Sequence, residues 1–104
     1  MYSDPKTDEV IKYIKENLEK DLSAEALCAR FFVSRSWMME SFKRATGYTL
    51  HAYITQKRLM LSAELIKNGE SVQNACEACG FSDYTAFLRA FKRMFGTTPK
   101  TFGK

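Results

Sequence analysis

The cysteines of this 104-residue chain are the first side chains whose spacing could support chemistry. Cys76-Glu-Ala-Cys79 matches the CxxC pattern of redox sites and of one half of a zinc site. A redox site of this kind needs a βαβ context and a zinc site needs further ligands, but the sequence offers only Cys28 and a single histidine, His51. We therefore predict free, reduced thiols packed between helices, with no metal and no cofactor. A metal or redox switch is the alternative.

The remaining polar side chains do not suggest an enzyme. We find no nucleophile with a matching base, no paired carboxylates and no Gly-rich phosphate loop in the sequence. His51 lies near a predicted helix start and is expected at the surface. We predict a protein without catalytic activity.

Basic residues outnumber acidic ones, and the excess is confined to one half of the chain. Sixteen Lys and Arg against twelve Asp and Glu give a net charge of +4. Residues 1–48 hold eight of each sign, whereas residues 49–104 hold eight basic and four acidic side chains. This balance permits a polyanionic partner without requiring one. Because no apolar run approaches the roughly 18 residues of a membrane span and no secretory signal is recognisable, we expect a soluble, cytoplasmic protein with no membrane partner.

The elements that must position these side chains are predicted to be helices. Apolar residues recur at helical period almost throughout, which indicates an all-α fold. The sixth helix is predicted to bury Phe87, Phe91 and Met94, with Phe95 beside them. Capping residues, prolines and glycines predict helices after Asp4-Pro5, from Ser23 to Phe32, from Ser34 to Gly47, from Leu50 to Asn68, from Ser71 to about Cys79-Gly80, from Asp83 to Gly96, and from Thr98-Pro99.

An internal repeat with an offset of 49 residues organises these helices. Each copy predicts a short helix, a tight turn and a second helix, so the chain is predicted to hold two helix-turn-helix units. We expect subdomains over residues 1–48 and 70–104, joined by a linker over residues 49–69 whose helix, from Leu50 to Asn68, is about 28 Å long. The identical pairs are Ala26 and Ala75, Ala29 and Ala78, Phe32 and Phe81, Phe42 and Phe91, Lys43 and Lys92, Arg44 and Arg93, Gly47 and Gly96, and Thr49 and Thr98.

The second helix of each unit is predicted to turn a polar face outward. Short polar side chains near its start and cations toward its end suit a recognition helix in the major groove of DNA. The linker helix could place two such helices about one DNA turn, roughly 34 Å, apart. The alternative is a pair of hairpins that serve as a protein-interaction domain. The outward residues are Arg35, Ser36, Met39, Glu40 and Lys43 in the first copy, and Tyr84, Thr85, Leu88, Arg89 and Lys92 in the second.

The sequence also resembles a known family. The run from Val72 to Asp83, the spacing Phe87-x-Arg89-x-Phe91-Lys92-Arg93-x-Phe95-Gly96 and the Phe42-Lys43 pair resemble the AraC/XylS family of bacterial transcription regulators. The resemblance implies a DNA-binding domain of seven helices, whose third and sixth helices enter adjacent major grooves of promoter DNA and affect RNA polymerase recruitment on the bacterial nucleoid. The chain departs from the family at Ala86, where an aromatic residue is usual, and at Phe102-Gly103, which replaces Tyr-Arg.

The resemblance also suggests roles for single residues and for the rest of the protein. Because the family's signal usually arrives through an effector-binding or receiver domain, we predict that this chain is the C-terminal module of a larger effector-responsive or two-component regulator. A stand-alone small activator is the alternative. We assign base edges to Arg35, Ser36, Met39, Glu40, Tyr84, Thr85 and Leu88, and phosphates to Lys43, Arg44, Arg89, Lys92 and Arg93.

Overall fold

The computed structural model describes residues 4–103, which form seven α-helices and, within that range, no strand. The all-α fold predicted from the sequence, with a long fourth helix, is confirmed. No helix in the described part of the chain combines the length and the apolar character needed to cross a membrane. The helices are α1 (Pro5–Glu16), α2 (Ala24–Phe31), α3 (Arg35–Thr46), α4 (Leu50–Lys67), α5 (Val72–Ala78), α6 (Tyr84–Phe95) and α7 (Pro99–Phe102).

Side-chain caps fix the starts of all seven described helices. In each case an Asp, Ser or Thr oxygen accepts a hydrogen bond from a backbone N–H two or three residues further on, which contributes about 1 kcal/mol per cap. Gly47 and Gly96 end α3 and α6 with φ of 81° and 76°, a conformation that glycine adopts without strain. Asp4, Ser23, Ser34, Ser71, Asp83 and Thr98 cap the helices that they were predicted to begin. Thr49 caps α4 in the same way.

A few helix ends differ from the prediction by one or two residues. α2 stops at Phe31, and Phe32 adopts a left-handed conformation with φ of 55° instead of continuing the helix. α4 stops at Lys67 rather than Asn68. The apolar stripe of Val10, Ile14 and Leu18 predicts a first helix that includes Leu18, but α1 stops at Glu16, so Leu18 reaches the buried core from the segment after the helix.

The chain divides into two compact units, and the division falls within α4, between Thr55 and Gln56. In the first unit, α3 packs against both α1 and α2. The rings of Phe42 and Tyr53 form a T-shaped pair with a centroid distance of 5.0 Å. The buried apolar side chains of this unit are Val10, Ile14, Leu18, Leu22, Leu27, Met38, Phe42, Leu50, Tyr53 and Ile54.

The second unit is built around phenylalanines. The ring of Phe91 lies 5.8 Å from Phe87, 4.5 Å from Phe95 and 5.3 Å from Phe102, measured between centroids. Met94 does not belong to this core, because its side chain is 38% exposed, so its predicted place on the buried face of α6 is wrong. At the helical angle, Phe95 and not Met94 follows Phe91 on the inner side. The core also contains Leu59, Ala63, Ile66, Ala75, Cys76 and Cys79.

Candidate nucleic-acid interface

α3 buries one face and exposes the other. Met38 and Phe42 are 1% and 0% exposed, and they fix the inner face of the helix. All of the residues predicted for the outer face lie there, and only Met39 is half-buried. Their assignment to DNA bases or phosphates stays a prediction. The exposed members of this face are Arg35, Ser36, Glu40, Lys43 and Arg44.

α6 is oriented in the same way within its own unit. Phe87 and Phe91 are completely buried, and the predicted outward residues lie on the opposite side. Leu88 is the member that differs, because it is half-buried and packs against the phenylalanine core. The exposed members are Tyr84, Thr85, Arg89, Lys92 and Arg93.

The turns that lead into α3 and α6 share a hydrogen-bond pattern but not a length. The backbone N–H of Val33 donates to the carbonyl of Cys28 at 3.1 Å, and the N–H of Phe81 donates to the carbonyl of Cys76 at 3.1 Å. These equivalent bonds are 48 residues apart, whereas the caps that follow, Ser34 and Asp83, are 49 apart. The second turn is therefore one residue longer than the first.

This difference in length changes the environment of one predicted pair. The sequence repeat pairs Phe32 with Phe81, but the left-handed residue of the second turn is Gly80, with φ of 97°. Phe32 is therefore equivalent to Gly80, and its ring is 92% exposed. Phe81 is half-buried and lies 5.1 Å from Phe87 between ring centroids. The equivalence of Phe32 and Phe81 is wrong in the structure, and sequence reasoning missed a large exposed aromatic residue at the first turn.

The CxxC cysteines are part of the second turn and its core. The thiol of Cys79 donates to the carbonyl of Cys76 at 3.4 Å, and that of Cys76 lies 3.8 Å from the carbonyl of Phe81. Burial raises the pKa of Cys79 to about 11. Burial also raises the pKa of Cys76, with the carboxylates of Glu77 and Asp83 adding to the effect. Both thiols are thus protonated at neutral pH and act as packing groups.

Cys28 and His51, the other two residues considered for redox chemistry or metal binding, do not belong to a cluster of such side chains in the described part of the chain. Cys28 is a half-buried free thiol on α2, and His51 is exposed on α4. Within residues 4–103, no group of three or more His, Cys, Asp or Glu side chains is placed to hold a metal ion. The candidate site therefore consists of the outer faces of α3 and α6.

Known proteins with similar sequences are transcription regulators. A family profile described as a helix-turn-helix domain matches residues 27–104. The probable transcriptional regulator LumQ of Photobacterium leiognathi is 33% identical over 91 residues, which cover 86% of this chain and 37% of LumQ. The chain spans between 35% and 37% of the length of LumQ and two further curated regulators that it matches.

Solved structures agree with the sequence comparison over almost the whole chain. A probable AraC family transcriptional regulator from Rhodopseudomonas palustris is 27% identical, with a TM-score of 0.81, over 95% of this chain and 94% of that one. The DNA-binding domain of AdpA, solved in complex with a target DNA, is 27% identical, with a TM-score of 0.89, over 97% of this chain and 91% of that one. The profile match and these structures confirm the resemblance seen in the sequence, and the chain belongs to the AraC-type family of helix-turn-helix domains.

Proposed function

We propose that this chain binds double-stranded DNA sequence-specifically and regulates transcription, with α3 and α6 as recognition helices in successive major grooves. The observation that carries the proposal is the repeated outer face: each unit exposes short polar side chains at the start of its second helix and cations at its end. Recognition helices use their N-terminal residues for base edges and flanking cations for phosphates. The likeness to the DNA-bound AdpA domain supports this proposal.

The cations are proposed to supply affinity. They are exposed, and some of them lie in the last turns of α3 and α6. A positive charge in the last turn of a helix interacts favourably with the helix dipole and stabilises the helix by about 0.3–1 kcal/mol. A purely structural role would therefore give them a stabilising effect without any DNA contact, and DNA binding must be measured directly to separate the two roles. The proposed phosphate contacts are Lys43, Arg44, Arg89, Lys92 and Arg93.

The proposed base contacts differ in chemistry along each helix. Hydroxyl groups can donate to or accept from a base, whereas Met39 and Leu88 can offer only apolar contact to a thymine methyl. Arg35 and Tyr84 begin the two helices, at the end that points into the groove. The full set is Arg35, Ser36, Met39, Glu40, Tyr84, Thr85 and Leu88.

We further propose that the chain is the DNA-binding module of a larger bacterial regulator. It spans little more than a third of the length of its curated relatives, which supports an additional effector or receiver domain in the protein that acts in the cell. In this proposal the protein works in the cytoplasm on the nucleoid and makes contact with RNA polymerase. A stand-alone small activator is the second candidate, and the length of the protein detected by immunoblot in its host distinguishes the two.

The dependence of DNA affinity on salt tests the proposal. Each phosphate neutralised contributes about 0.9 to the slope of log affinity against log salt, so five contacts give a slope of about 4.5. We expect Arg89→Ala to weaken binding to all duplexes alike and to reduce the slope by about 0.9. Lys12→Ala removes an equal charge from the exposed side of α1 and is expected to change the slope much less. A flat salt dependence with no retention of DNA would refute DNA binding and favour the protein-interaction alternative.

A further inference from the structure

The outer faces of α3 and α6 are chemically alike except at their starts and at one central position. Aligned at the 49-residue offset, Arg35 corresponds to Tyr84, and Glu40 corresponds to Arg89. Glu40 and Arg89 are both exposed, and they occupy the same turn of their helices, six residues after the caps Ser34 and Asp83. A carboxylate thus stands on the first helix where the second carries a guanidinium. The similar pairs are Ser36 and Thr85, Met39 and Leu88, Lys43 and Lys92, and Arg44 and Arg93.

A carboxylate in this position has few favourable partners on DNA. When ionised it is only a hydrogen-bond acceptor, so it is repelled by phosphates and by the acceptor atoms of guanine. The major-groove edges offer two amino donors, N4 of cytosine and N6 of adenine. Adenine places its N7 acceptor beside that donor, which disfavours the second carboxylate oxygen, whereas cytosine presents no such acceptor. Cytosine is the base that suits Glu40 best.

The surroundings of Glu40 on α3 are compatible with this role. Lys43 and Arg44 are exposed three and four residues further on, which places them one helical turn toward the C-terminus of α3. These cations offset the repulsion between the carboxylate and the DNA backbone. Ser36 lies one turn before Glu40, at the end of the helix that is proposed to meet the bases.

We propose that Glu40 makes the first unit select a C·G base pair, with the cytosine amino group donating to the carboxylate. The equivalent Arg89 provides affinity through a phosphate instead. The two units therefore use one helical position differently: for base selection in the first and for charge in the second. This proposal rests on the proposed function, because it concerns DNA bound to the same face.

Selection of duplexes from a random DNA pool tests the proposal, using the 104-residue chain and its Glu40→Gln variant. Glutamine keeps the length of the side chain but pairs with N6 and N7 of adenine. We expect the wild type to select cytosine at one position, and Glu40→Gln to select adenine there with the other positions unchanged. In competition binding with duplexes that differ only at this position, each protein should favour its own base by about 5- to 150-fold.

A matched control separates base recognition from charge. Glu9→Gln makes the same charge change on the exposed side of α1, so it should leave every base preference unaltered. Circular dichroism melting of the three proteins verifies that each is folded. If wild type and Glu40→Gln select the same bases while binding still falls steeply with salt, the role of Glu40 is refuted and DNA binding stands. If the wild type retains no duplex at low salt, the proposed function itself fails.

Discussion

Replacing Phe32 with glycine should stabilise the first unit, although it removes a large aromatic side chain. Phe32 ends α2 in the left-handed conformation, with φ of 55° and ψ of 47°, and it is the one residue other than glycine in the described chain with a positive φ. Its ring is 92% exposed. The residue therefore has the strain of this conformation without the compensating burial that normally makes a phenylalanine stabilising.

The expected gain follows from three contributions. The left-handed conformation costs an L-residue about 1–2 kcal/mol. Glycine avoids this cost but loses about 0.5–1 kcal/mol more backbone entropy on folding. A fully buried phenylalanine contributes about 1.5–3 kcal/mol, so a ring this exposed contributes only a few tenths. We expect Phe32→Gly to raise the free energy of unfolding by about 0.5–1 kcal/mol.

Urea denaturation followed by the fluorescence of Trp37 measures this change. Trp37 is the only tryptophan and lies half-buried on α3, so its signal reports on the unit that contains Phe32. With a slope of about 1 kcal/mol per M, the midpoint should rise by about 0.5–1 M. Phe32→Ala is the control, because it removes the ring but keeps a Cβ atom in the strained conformation. If the glycine variant unfolds at or below the midpoint of the alanine variant, the strain argument is refuted.

Two further predictions concern buried polar and thiol groups. Among the described residues, the buried hydroxyl of Thr7 has no hydrogen-bond partner, so Thr7→Val should raise the free energy of unfolding by about 1 kcal/mol in the same assay. A loss of stability would contradict the unsatisfied hydroxyl. Because burial raises the pKa of Cys79 to about 11, iodoacetamide at pH 8 should alkylate Cys28 in the native chain well before Cys79, and all three thiols at similar rates in urea. Mass spectrometry of the digested chain checks this order, and early labelling of Cys79 would refute it.

The helices could be predicted from the sequence because their determinants are local. A cap such as Ser34 bonds to the backbone N–H of Trp37, three residues away, at 3.1 Å. Gly47 and Gly96 mark the helix ends for an equally local reason, since they adopt positive φ without strain. The outer faces of α3 and α6 followed from the period of the helix and from the buried aromatic pairs, such as Phe87 and Phe91.

Other features depend on contacts that the sequence does not display. A Cβ atom at Gly103 would lie 2.8 Å from Cγ2 of Ile66, so the end of α7 approaches the end of α4 too closely for a larger residue in this arrangement. The family's arginine at that position would require the two segments to move apart. The exposure of Phe32 was likewise hidden, because aligning the repeat by residue identity conceals a difference of one residue in turn length.

The position of the charges explains why a unit with no net charge can still carry a cationic surface on the outer face of α3. Among residues 1–48, seven of the eight acidic side chains precede α3, and Glu40 is the one on it. α3 carries Arg35, Lys43 and Arg44 against that single carboxylate. At physiological salt, charges interact strongly only within about 8–10 Å, so in the proposed complex a phosphate beside the outer face of α3 responds most strongly to the side chains exposed on that face. In the proposed function, the charge on the outer face of each of these two helices, rather than the total for its half of the chain, sets how strongly that unit attracts DNA.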